Sequence, residues 1–172
     1  GSGDLYAIVK DLTPDFMMIY NKDHIDAYNE ANIVPLAQEV GYPTDESGVY
    51  PSDSVAMTWE QCTKLCRLLT KFDENGRIIR YGTTLDQVPW KHVMEWIQMS
   101  GDTLFTEDMQ HLNISSQAVI DAFSYFVNFQ SGDTQSAAPV ASGSVGGGEG
   151  FKNGDISVVW NGRWAWQSYG WY

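Results

Sequence analysis

The stretch TWEQCTKLCRLLTKFDENGRIIRYGTT (residues 58–84) decides the fold class. Its first half carries Cys62, Leu65, Cys66 and Leu69 at the spacing that puts them on one buried helical face. Thr58 stands at the N-cap, and Gln61 completes a T-x-x-Q capping box that fixes where the helix begins. Asp73-Glu74-Asn75-Gly76 breaks the pattern as a turn, and Arg77 to Thr84 reads as a strand. A helix over 58–72, a turn and a strand over 77–84 make one unit of a layered α/β fold.

Working outward, Leu5 to Lys10 reads as a short strand and Thr13 to Asn21 as a second, buried one. Residues 21–32 read as a helix capped by Asn21, with acids in the first turn. Residues 33–57 hold Pro35, Pro43 and Pro51 among many Ser, Asp and Gly residues, a long loop excursion with at most a short helix. Beyond the central unit, 88–101 reads as a helix with Pro89 in its first turn and Gly101 closing it. Residues 103–114 read as a small hairpin or two short extended pieces. A second strong helix covers 115–131, capped by Ser115, with Val119, Ala122, Phe123 and Phe126 as its apolar stripe. Residues 132–150 are small, polar and glycine-rich, a flexible connection by composition. Asp155 to Trp160 reads as the last strand, turned by Asn161-Gly162. Strands alternating with helices predict an α/β, layered αβα architecture with a mixed sheet, and no internal repeat is visible.

The chain of 172 residues fits one domain with a real core, and 43% hydrophobic content is ordinary for a soluble fold. No apolar run reaches the roughly 18 residues of a membrane-spanning helix. A net charge of −12 argues against nucleic acid or an anionic membrane as the main partner, because phosphate binding needs clustered Lys and Arg. The 7 Trp, 9 Tyr and 7 Phe suit stacking on sugars as well as a core. Cys62 and Cys66 lie one helical turn apart, where a disulfide is strained, so they read as buried packing thiols. His24, His92 and His111 fit no zinc spacing, and no metal or cofactor is expected. Gly1-Ser2-Gly3 reads as a cloning scar, leaving targeting unreadable from the residues themselves.

Enzyme signatures are weak. GSVGGGEG (143–150) lacks the Lys and Ser/Thr of a phosphate loop. Asp86 and Glu95 are candidates for a glycosidase pair, but among 22 acids some pair is always available. Asn113-Ile114-Ser115 is a glycosylation sequon that coincides with a helix start, where capping is the stronger reading. Trp90 follows the exit of the strand ending near Thr84, and Trp164 follows the exit of the last strand. Ligands of open α/β sheets gather at the carboxyl ends of strands, so both rings are candidates for one rim; the alternative is two core anchors.

Several blocks carry a resemblance: MIYNKD (18–23), TWEQCTKL (58–65), FDENGRIIRYG (72–82), the Trp90 helix ending MSGD, the Ser115 helix and FKNGDISVVWNGRWAW (151–166). Their order and spacing are similar to the family 1 extracellular solute-binding proteins of ABC importers, the group that includes maltose-binding protein. The resemblance implies a single type II periplasmic-binding-protein-like lobe over 4–172, the second of two, whose first lobe lies outside the chain. It also implies a non-enzymatic role: capturing a carbohydrate for an ABC permease. A monomer held outside the cytoplasm by a lipoprotein anchor is the implied form. Carried over residue by residue, it implies sugar stacking by Trp164 and Trp90. Asp15, with Asp11 as the second choice, takes the place of an acidic ligand contact. Asn161, Arg163 and Asp86 complete the polar part of the expected site. A glycan-acting enzyme, a lectin-like domain, a structural or protein-interaction lobe and a binding protein for a non-sugar ligand are the alternatives.

Overall fold

The structure of the protein, a computed structural model, describes residues 17–84, 89–131, 137–138, 147–162 and 165, with backbone alone at 89–92, 130–131, 137–138 and 147. The strand expected over 5–10 lies outside these residues. Among the described residues five strands form one mixed sheet: β1 (Met17–Tyr20), β2 (Lys71–Phe72), β3 (Ile78–Thr84), β4 (Ala137–Ala138) and β5 (Ile156–Asn161). The order is β1-β5-β3-β2, with β4 also pairing β3. β5 is antiparallel to β1 and parallel to β3, while β3 runs antiparallel to β2 and parallel to β4.

Local signals set two of the helix starts. α1 (Lys22–Ala31) begins where the Asn21 side chain accepts from the His24 N–H at 3.3 Å. α2 (Leu36–Val40) is the short helix within the 33–57 excursion and stops at Gly41, whose φ of 80° suits a residue without a β-carbon. A bridge between Thr44 and Pro51 folds the rest of that loop. α3 (Trp59–Leu69) carries the expected capping box, with Gln61 N donating to Thr58 Oγ1 and Thr58 N donating to Gln61 Oε1. It ends at Leu69 instead of running to 72, because Lys71 and Phe72 pair with Arg80 and Ile78 in a hairpin. α4 (Pro89–Met99) is followed by a small hairpin with Phe105 opposite Leu112.

Three expectations for the later part of the chain are corrected. α5 (Gln117–Ser131) is capped by Ser116 and not Ser115: Ser116 O accepts from Ile120 N, and Ser116 Oγ from Val119 N. The inward stripe runs through Val119, Ala122, Phe126 and Phe129, whereas Phe123 is 42% exposed. The glycine-rich 132–150 segment is not irregular to its end, since α6 (Gly147–Lys152) begins within it. Phe151 overrides the weak helix propensity of Gly147, Gly148 and Gly150 by burying its ring against Ile156, Val159 and Ala165.

Helices cover both faces of the sheet. On one, α3, α4 and α5 contribute Leu65, Cys66, Leu69, Trp96, Ile97, Val119 and Phe129 to a core that includes Val158 of β5. On the other, α6 and Ala165 cover Ile19, Tyr81, Ile156 and Val159. Cys62 and Cys66 are buried free thiols within the first core, and hydrogen bonding to Cys62 together with burial pushes the Cys66 thiol well above its ordinary range.

Candidate ligand-binding edge of the sheet

β3 and β5 are adjacent and parallel, with Thr83 beside Val158 and Thr84 beside Val159, so both leave the sheet at the same edge. β1 starts there, because Met17 lies opposite Asn161. Thr84 ends β3 and Pro89 opens α4, which puts the Trp90 backbone in the first helical turn after the β3 exit. Asn161 is the last residue of β5. The two strand exits singled out in the sequence are therefore neighbours. Asp15, Asp86, Arg163 and Trp164 lie outside the described residues, as does the side chain of Trp90.

Asn161 shapes the turn at this edge. Its Oδ1 accepts from the Gly162 N–H at 2.9 Å, and Gly162 O accepts from Ala165 N at 3.0 Å. That turn returns the chain to the sheet, where Ala165 is buried. Beside it, Thr83 and Thr84 have buried hydroxyls, and Trp160 a buried Nε1, none with a hydrogen-bond partner among the described residues. Sequence reasoning passed over these groups, because threonines in a strand look like ordinary β-formers. Their place at the strand ends is legible in the sequence, but the burial of their polar atoms is not.

Behind the edge lies a cavity of about 440 Å³ with Met17, Tyr20, Met57, Trp59, Trp96 and Trp160 among its walls. Tyr125 secures the wall, its hydroxyl donating to Trp59 O at 2.7 Å while its ring meets that of Trp59 at 4.8 Å between centroids. Trp59, Trp96 and Trp160 were not singled out in the sequence as site residues. Each sits in an element whose apolar pattern is explained by core packing alone.

The 33–57 excursion that borders the cavity is held by a polar knot. Asp45 accepts from the Ser47 hydroxyl and from backbone N–H groups, which holds its carboxyl below the usual range. Tyr50 donates to Asp26, stacks on Tyr20 at 6.4 Å and carries Lys22 Nζ over its ring at 4.3 Å. His24 Nδ1 lies 3.0 Å from Ser157 Oγ. Burial, reinforced by the Arg80 charge, lowers the imidazole to about 4. Among the described residues no cluster of His, Cys, Asp and Glu could hold a metal ion, and no helix is long and apolar enough to cross a membrane. The Asp86–Glu95 carboxylate pair cannot be placed, because Asp86 is outside the described residues.

No protein-family model matches the sequence, and no curated protein matches it. Solved structures do. An ABC substrate-binding protein of Listeria monocytogenes in complex with cycloalternan is 21% identical with a TM-score of 0.64, over 92% of this chain and 34% of that one. An ABC transporter solute-binding protein of Thermotoga lettingae bound with α-D-tagatose is 15% identical with a TM-score of 0.62, over 91% and 35%. The maltose/maltodextrin-binding domain MalE of Bdellovibrio bacteriovorus bound to maltotriose is 18% identical with a TM-score of 0.56, over 91% and 34%. This chain spans about a third of the length of each of these structures. The chain has the fold of one lobe of the solute-binding proteins of ABC transporters.

Proposed function

We propose that this chain is the second lobe of an extracytoplasmic solute-binding protein that captures a carbohydrate for an ABC importer. One observation carries the reading: the parallel exits of β3 and β5 are neighbours, so α4, with Trp90 in its first turn, and the turn opened by Asn161-Gly162 both follow from one edge of the sheet. Aromatic rings there suit the C–H faces of a sugar, and Asn161, Arg163, Asp86 and Asp15 supply hydrogen-bonding groups of the right type for its hydroxyls. The matched structures in complex with cycloalternan, tagatose and maltotriose support a sugar over a peptide or an ion. In this reading the first lobe closes over the ligand and the closed form meets a permease at the membrane, with no chemistry on the sugar.

A single lobe supplies half of such a cleft, so the expected affinity of this chain alone is on the order of millimolar. Titration of neutral mono- and oligosaccharides, followed by tryptophan fluorescence, tests it. Weak saturable binding lost in both Trp90→Ala and Trp164→Ala supports the reading. Binding that survives both substitutions, or turnover of the sugar, removes it.

A further inference from the structure

We propose that the cavity behind the sheet edge is a second ligand site, for a neutral aromatic molecule carrying one hydrogen-bond acceptor. Its volume of about 440 Å³ lies within the ordinary range of small-molecule pockets. The space is partly open to solvent and walled mainly by apolar side chains, so a ligand entering it would remove apolar surface from water. The walls favour a flat ring. Trp59, Trp96 and Trp160 present aromatic surface, and Met17 and Met57 offer flexible thioethers that adapt to ring edges.

The polar groups of the wall decide the rest. Tyr125 OH is committed to Trp59 O, Thr58 Oγ1 accepts from Gln61 N, and Ser52 Oγ is engaged with Ser54. Trp160 Nε1 is buried and has no partner among the described residues. An indole N–H can only donate, so it calls for an acceptor on the ligand. Asp53 also lines the space, and the chain carries a net charge of −12, which disfavours a carboxylate as that acceptor. A carbonyl, ether or ring nitrogen remains. A free sugar fits poorly, because each buried hydroxyl would need its own partner. The proposal is independent of the carbohydrate reading.

A matched pair of probes tests it on the intact chain: 2-acetylnaphthalene, which carries a carbonyl, and 2-ethylnaphthalene, which has the same ring without it. The expected result is saturable binding of the acetyl probe at least about fivefold tighter than the ethyl probe, the discrimination typical of an otherwise unsatisfied buried donor. The Trp160 indole N–H resonance should move only with the acetyl probe. Trp160→Phe should bring the two affinities together, and Cys62→Phe, which fills the space from its wall, should weaken both. If either variant fails to fold, the paired affinities and the Trp160 resonance of the unaltered chain still decide. Equal affinities, absence of saturable binding, or displacement of bound 2-acetylnaphthalene by maltotriose would overturn the proposal.

Discussion

A β-carbon on Gly82 would stand 1.8 Å from the carbonyl oxygen of Cys66 and 2.8 Å from Thr70 Oγ1. The backbone of α3 therefore rests directly on β3. A hydrogen-bond chain locks the approach: Gly82 N donates to Thr70 Oγ1 at 3.0 Å, and that hydroxyl donates to Cys66 O at 2.9 Å. Since the obstruction is backbone, a methyl group cannot be accommodated by a rotamer change. Gly82→Ala is expected to lose about 3 kcal/mol or more, read as a lowered urea midpoint. A loss below about 0.5 kcal/mol would show that α3 can lift off the sheet freely.

The capping box offers a milder test of the same helix. Thr58→Ala should cost about 1 kcal/mol, because it frees the Gln61 N–H at the start of α3. Gln61→Ala removes the reciprocal bond to Thr58 N and a second one to Gly41 O, which ties α3 to the end of α2. It should cost more than Thr58→Ala. The double variant should fall short of the sum, since both changes break the Thr58–Gln61 pair. Additive losses in denaturant melts would argue that the two side chains act separately.

The parts of the fold legible in the sequence are those fixed by near neighbours. Asn21 and Thr58 cap from within three residues, and the 3.6-residue stripe of α3 lies inside one element. What escaped the sequence depends on distant partners. Ser116 caps α5 because Asp102 and Asn113 gather around it: Asn113 Nδ2 donates to Asp102 Oδ1 at 2.9 Å, and Ser116 Oγ donates to the same carboxylate. Starting one residue later does not move the apolar side chains, but Phe123 still falls outside the stripe that Val119, Ala122, Phe126 and Phe129 define. α6 depends on a pocket for Phe151 made by β5, which no local propensity of a glycine-rich run can announce. At the candidate edge, the strand exits were readable from strand ends. The buried Trp160 Nε1 and the space behind it exist only once β1, α3 and α4 are assembled.

The corrected stripe of α5 makes a paired prediction. Trp96 packs edge-on against Tyr125, Phe126 and Phe129 at 5.1, 5.0 and 5.7 Å between centroids. Trp96→Ala should therefore cost about 3–5 kcal/mol, the range for deleting a large buried aromatic ring. Phe123→Ala, at a position 42% exposed, should change stability far less, by about 0.5 kcal/mol. A comparable loss for both in chemical denaturation would restore Phe123 to the core and rotate α5.

His24 makes stability depend on pH with a definite sign. Its ring is half-buried at the start of α1, with Nδ1 3.0 Å from the hydroxyl of the fully buried Ser157. Burial is the main reason that the imidazole falls from 6.5 to about 4; the Arg80 and Lys71 charges push the same way, and Asp23 opposes them. Above pH 6.5 the folded and unfolded chains both hold a neutral His24, and it adds no pH dependence. As the pH falls from 6.5 towards 4, the unfolded chain takes up a proton that the folded chain refuses, so stability drops through that window and levels off below it. Carboxylates also titrate near its lower end, so the comparison must be made against a variant. His24→Gln keeps a polar side chain but cannot titrate. Urea midpoints taken between about pH 7.5 and 4.5 should fall more steeply for the parent chain than for the variant, with the gap opening below pH 6.5. Parallel curves would mean that His24 is protonated in the folded chain at the same pH as in the unfolded one, and that its contact with Ser157 does not depend on a neutral ring.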